Sequence, residues 1–119
     1  SRGFVFASAV SYLLKKPFIL LRKKNKLPAE THSVEFELEY GKATMEIHKD
    51  SIKENESVLL IDDLIATGGT AEAATKLIEL SKGKVAGFIF VINLFDLGGC
   101  DNLLKKGHKI ENLIDFPGH

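Results

Sequence analysis

The chain predicts an α/β fold, a parallel sheet flanked by helices with an antiparallel hairpin inserted as a lid. Three observations carry this. Apolar runs at residues 18–21, 58–61 and 85–92 read as strands, the run at 58–61 being unbroken as in a strand buried on both faces. Segments with apolar residues at helical spacing lie between several of these runs. One stretch, residues 34–48, alternates instead with period two around a glycine, which is the mark of a hairpin.

Taken in order, residues 3–7 read as the end of a strand running into a helix. Val10, Leu13 and Leu14 give that helix an apolar stripe, and Lys15 and Lys16 suit its C-terminus, where the dipole favours cations. After Pro17 comes the second strand, residues 18–21. Val34, Phe36 and Leu38 then alternate with Glu35, Glu37 and Glu39. Beyond Tyr40-Gly41-Lys42, Met45 and Ile47 alternate with Thr44, Glu46 and His48. A hairpin with one wet face follows, either a fixed flap or a mobile lid. Residues 58–61 form the third strand, with Asp62 and Asp63 expected just past its end. A helix is expected from Thr70 to Leu80, with Ala74, Leu77 and Ile78 inward. The fourth strand, residues 85–92, holds Gly87, a mark of close packing against a helix. A short helix at 101–106 and a last strand at 110–116 complete the pattern.

A length of 119 residues predicts one domain, residues 1–119, able to bury about 65% of its unfolded surface. Lys and Arg balance Asp and Glu at 16 each, so no global field draws nucleic acid or a membrane. Cys100 is the only cysteine, and no apolar run reaches a membrane span; both favour a cytoplasmic protein. Locally the charge is uneven. Arg2, Lys15, Lys16, Arg22, Lys23, Lys24 and Lys26 precede the first acid, whereas residues 30–63 carry ten acids against three lysines. Such a basic run is a solvated loop or an anion site. His32, His48, His108 and His119 have no metal-ligand spacing. Cys100 has no base near it in sequence and reads as a structural thiol.

The chemistry concentrates in Asp62-Asp63-Leu64-Ile65-Ala66-Thr67-Gly68-Gly69-Thr70. A helix N-terminus presents unpaired N–H groups and a positive dipole end, and so attracts phosphate. Gly68 and Gly69 let the backbone approach an anion, and Thr67 and Thr70 add hydroxyl donors. Asp62 and Asp63 would repel phosphate on contact but suit the hydroxyls of a ribose. The plainer alternative is a solvated acidic pair followed by an ordinary helix cap. Neither G-x-x-x-x-G-K-[ST] nor G-x-G-x-x-G occurs here.

The run from Ile61 to Thr70 resembles the phosphoribosyl-diphosphate loop of the type I phosphoribosyltransferases. Ser1-Arg2-Gly3-Phe4, Arg22-Lys23-Lys24-Asn25-Lys26-Leu27-Pro28 and Leu38-Glu39-Tyr40-Gly41 look like matching segments of the adenine-specific branch. The resemblance implies transfer of phosphoribosyl from phosphoribosyl diphosphate to adenine, giving AMP and diphosphate in purine salvage. It implies that Ala66, Thr67, Gly68, Gly69 and Thr70 hold the 5′-phosphate, and that Asp62 and Asp63 hold the ribose hydroxyls. Arg2, Arg22, Lys23 and Lys26 would face the diphosphate. Glu39 and Tyr40 would arrive with the lid, Glu39 as proton donor to the purine. Magnesium is expected, held by substrate oxygens and water rather than by direct protein ligands. A homodimer is the family expectation.

The family carries a further N-terminal segment that these residues lack, so a chain truncated at its start, poor in adenine turnover, is expected. Regulators of the same fold bind phosphoribosyl diphosphate without catalysis and form the alternative class. Nothing here resembles their DNA-binding segment. A synthetase of phosphoribosyl diphosphate would need an ATP site, and no motif supplies one.

Overall fold

The computed structural model describes residues 22–23, 31–38, 41–49 and 51–118. The strands and helices expected within residues 1–21 lie outside them. Contacts divide the chain into two compact units. In terms of described residues, one unit holds 59–68 and 86–118, and the other holds those within 22–58 together with 69–85.

The first unit is built on a sheet of order β4-β5-β6, formed by Ser57–Ile65, Lys84–Leu94 and Ile110–Phe116. β5 and β6 run parallel, with Phe88 opposite Ile110 and Leu94 opposite Phe116. A 3₁₀ turn, Phe95–Leu97, and a short helix α2, Gly99–Lys105, connect them. Phe88 and Leu103 are fully buried here, and Phe88 stacks on Phe90 at 5.7 Å and meets the edge of His108 at 5.2 Å. Asn112 Nδ2 donates to Cys100 Sγ at 3.4 Å, so the buried thiol is part of the packing. Gly87 does adjoin another element, but not a helix. A Cβ there would stand 3.0 Å from the Lys109 carbonyl oxygen, on the backbone entering β6.

The second unit pairs β2, Thr31–Leu38, antiparallel with β3, Gly41–His48. The hairpin expectation therefore holds, with Leu38 paired to Gly41; Gly41 opens β3 rather than centring the turn. Two departures stand out in this sheet. Arg22 and Lys23 form a short strand, β1, on the other side of β3 rather than a loop. β3 is thus the middle of three strands, and Glu46, expected on a wet face, is 5% exposed. A buried carboxylate is costly unless paired. Thr31 Oγ1 donates to Glu46 Oε2 at 3.5 Å. The wet face survives at Glu35, whose carboxylate meets Lys42 Nζ at 3.4 Å.

Helix α1, Gly69–Leu80, packs on β2 and β3. Its buried residues, Ala71, Ala73, Ala74, Thr75, Leu77 and Ile78, include the stripe read from the sequence. Burying Leu77 and Ile78 contributes about 1.5–3 kcal/mol each. Thr75 and Ser81 donate their hydroxyls back to the carbonyls of Ala71 and Leu77, both at 3.0 Å, which satisfies two buried polar groups. The helix closes with Gly83 N–H on Ile78 O and Lys82 N–H on Glu79 O, around Lys82 at φ 66°. That pairing is a Schellman end. Among the described residues no helix is long and apolar enough to cross a membrane.

Candidate active site

β4 does not end before the aspartates. It continues through Asp62 and Asp63 to Ile65, because Leu64 and Ile65 extend the apolar strand beyond them. Successive strand residues face opposite sides of a sheet, so the two carboxylates leave on opposite faces. Both are half-buried, and Asp63 N–H donates to Asp62 Oδ1 at 2.9 Å.

Beyond Ile65, which is 2% exposed, the backbone bends through Ala66, Thr67 and Gly68 and enters α1 at Gly69. Gly68 takes φ 92°, a conformation that side chains resist. This glycine is therefore required by the turn. Thr67 is exposed, while Gly69 and Thr70 are half-buried in the first helical turn. The first N–H groups of a helix have no partner within it and carry the positive end of its dipole. A bend of small residues feeding such an end has the form of an anion cradle.

The bend is braced from α2. Gly99 N–H donates to Ala66 O at 3.1 Å, and Gly99 is buried. The sequence reading missed this residue. The signal was a second double glycine, Gly98-Gly99, following β5 as Gly68-Gly69 follow β4.

Arg22 and Lys23 lie on β1, beside Glu46 and Met45 in register. Arg2, Lys26, Glu39 and Tyr40 lie outside the described residues. Among the described residues, no group of three or more His, Cys, Asp or Glu is placed to hold a metal ion. Asp62 and Asp63 offer hard carboxylate oxygens of the kind that receive hydrogen bonds from magnesium's water shell.

Comparison with known proteins bears on this geometry. The phosphoribosyl transferase domain family matches residues 1–113. An adenine phosphoribosyltransferase from Pelagibacter ubique is 79% identical over 119 residues, which are all of this chain and 68% of that protein. The crystal structure of adenine phosphoribosyltransferase from Thermoanaerobacter pseudethanolicus superposes with a TM-score of 0.91 at 46% identity, covering 98% of this chain and 66% of its own. The Saccharomyces cerevisiae adenine phosphoribosyltransferase, complexed with an imino-altritol bisphosphate and adenine, gives 0.87 at 36% identity over 95% of this chain and 62% of its own. The chain thus spans about two thirds of the length of these relatives. By sequence, by fold and by the acidic strand end with its glycine bend, the chain belongs to the phosphoribosyl transferase domain family, in its adenine phosphoribosyltransferase branch.

Proposed function

We propose that this protein transfers phosphoribosyl from phosphoribosyl diphosphate to adenine, with the sugar phosphate seated on residues 62–70. The observation that carries this is the bend at Gly68, φ 92°, feeding the N-terminus of a 12-residue helix. The amides of Thr67, Gly68, Gly69 and Thr70, with the two threonine hydroxyls, receive the 5′-phosphate. Each charge-assisted hydrogen bond of this kind contributes about 1.5–3 kcal/mol. Asp62 and Asp63 accept from the ribose hydroxyls or from magnesium's water shell. Because they leave opposite faces of β4, the two roles divide between them.

In the reaction the bond from the sugar carbon C1′ to diphosphate breaks and a bond to adenine forms. The sugar carbon passes through a cationic, oxocarbenium-like state. Magnesium, when bound, neutralises charge on the leaving diphosphate. The protein positions the reactants, stabilises the leaving group and excludes water. Arg2, Arg22, Lys23 and Lys26 are assigned to the diphosphate, where an arginine fork or a lysine point charge is effective. Glu39 and Tyr40, between Leu38 and Gly41 in sequence, are assigned to the lid, with Glu39 in proton exchange with the purine. A homodimer in the cytoplasm completes the proposal.

The yeast relative's complex with adenine supports the choice of base. The test is AMP formation from adenine, phosphoribosyl diphosphate and magnesium by the full-length protein, with hypoxanthine as a control base. Binding of phosphoribosyl diphosphate with no AMP formed would favour a non-catalytic regulator and defeat the proposal.

A further inference from the structure

We infer that Gly99, outside the sugar-phosphate run, is a positioning residue that aims the run's amides at the phosphate. The inference rests on the proposed seat at residues 66–70.

Three observations on one contact carry it. Gly99 N–H donates to Ala66 O at 3.1 Å. A Cβ added at Gly99 would stand 2.4 Å from Ala66 O, 2.7 Å from Gly68 N and 2.8 Å from Thr67 C. In the reverse direction, a Cβ at Gly68 would stand 3.2 Å from Gly99 Cα. The two segments therefore touch backbone to backbone over three consecutive residues of the bend. None of the atoms met is the tip of a flexible side chain, so no rotamer change relieves an added methyl.

The hydrogen bond also sets a direction. In a trans peptide the carbonyl and the following N–H point opposite ways. Cis bonds are absent from the described residues. With Ala66 O turned to Gly99, the Thr67 N–H of the same peptide plane is turned away from Gly99 and left for an anion. Gly98 makes a natural control. It takes φ 78°, and a Cβ there would meet nothing within 4 Å among the described residues. Of two adjacent glycines, one is needed for its φ and the other for its missing side chain.

The experiment is calorimetric titration of the full-length protein with ribose 5-phosphate, for wild type, Gly99→Ala and Gly98→Asn, with circular dichroism as the fold check. Losing one charge-assisted hydrogen bond already weakens binding about tenfold, so Gly99→Ala should weaken binding at least tenfold. Gly98→Asn should stay within about twofold, since asparagine tolerates positive φ. In steady-state assays Gly99→Ala should raise KM for phosphoribosyl diphosphate and spare KM for adenine. Equal affinity of Gly99→Ala and wild type overturns the inference and leaves the phosphate seat standing. Absence of binding by wild type removes the seat itself. Should Gly99→Ala not fold, wild type decides by amide NMR. The Gly99 signal should shift and its hydrogen exchange slow as ribose 5-phosphate saturates. A Gly99 signal unmoved while Thr67 and Gly68 shift overturns the inference.

Discussion

Asn93 and Asp115 stand side by side on the parallel strands β5 and β6, and Asn93 Nδ2 donates to Asp115 Oδ1 across 3.0 Å. Their exposures differ. Asn93 is 7% exposed and its Oδ1 has no hydrogen-bond partner among the described residues, whereas Asp115 is exposed. Truncating the exposed member orphans the buried one. Asp115→Ala should therefore cost about 1–3 kcal/mol, the penalty for a buried donor left unpaired. Surface substitutions elsewhere fall within about 0.5 kcal/mol. Urea unfolding of the pair of proteins measures it, and a midpoint equal to wild type would show that water takes the place of the carboxylate.

Lys82 and Gly107 hold the same position in two helix ends. Gly107 N–H bonds Leu104 O and His108 N–H bonds Leu103 O, as Lys82 and Gly83 bond Glu79 and Ile78. Gly107 takes φ 87° and Lys82 φ 66°. Left-handed backbone costs a side-chain-bearing residue about 1–2 kcal/mol. Part of that gain is offset by glycine's freedom in the unfolded chain, so Lys82→Gly should stabilise by about 0.5–1 kcal/mol. Gly107→Ala should destabilise by about 1 kcal/mol for the same reason. Thermal melts of both variants should move in opposite directions.

Gly69→Asp places a carboxylate in the first turn of α1, on the proposed phosphate seat. Binding of phosphoribosyl diphosphate should fall at least tenfold, since loss of one charge-assisted bond of about 1.5–3 kcal/mol already gives that factor. The helix itself should tolerate the change, because acids are favourable at a helix N-terminus. Unchanged affinity in a folded variant would remove the seat from residues 66–70.

Gly41 and Lys42 begin β3, next to the hairpin tip. If the hairpin closes over the substrate, their amides should exchange rapidly in the free protein and slowly with phosphoribosyl diphosphate and magnesium. High, identical protection in both states would make the hairpin a fixed flap.

The elements most legible in the sequence were those whose signal is local. β6 matches its expected bounds, α1 differs by one residue at its start, and the β2–β3 pairing follows from period-two alternation. The bend at Gly68 was legible too, since small residues between an apolar strand and a helical stripe leave few alternatives. Glu46 was not. Its neighbours dictate a wet face, whereas it is 5% exposed in the middle strand of three, a burial set by chain packed from outside its own strand. Gly99 was illegible for the same reason. Its demand comes from Ala66 and Gly68, far away along the chain, and no periodicity records a contact of backbone with backbone. The roles of Asp62 and Asp63 stand apart, because strand geometry separates two side chains that adjacency in sequence had grouped.

β6 pairs with β5 along one side and closes the order β4-β5-β6, while Leu113, Ile114 and Phe116 on it are 69%, 48% and 51% exposed. The consequence is kinetic. Parallel pairing is non-local and needs a crossover to form first, here the 3₁₀ turn and α2, so it is slow to assemble. Until it forms, an apolar strand and its open partner are both available to other molecules. Refolding yield should accordingly fall with protein concentration, and the species lost should be joined through this strand. A charge at Leu113, the most exposed of the three, would act as a gatekeeper, raising recovery from denaturant while leaving the native sheet intact.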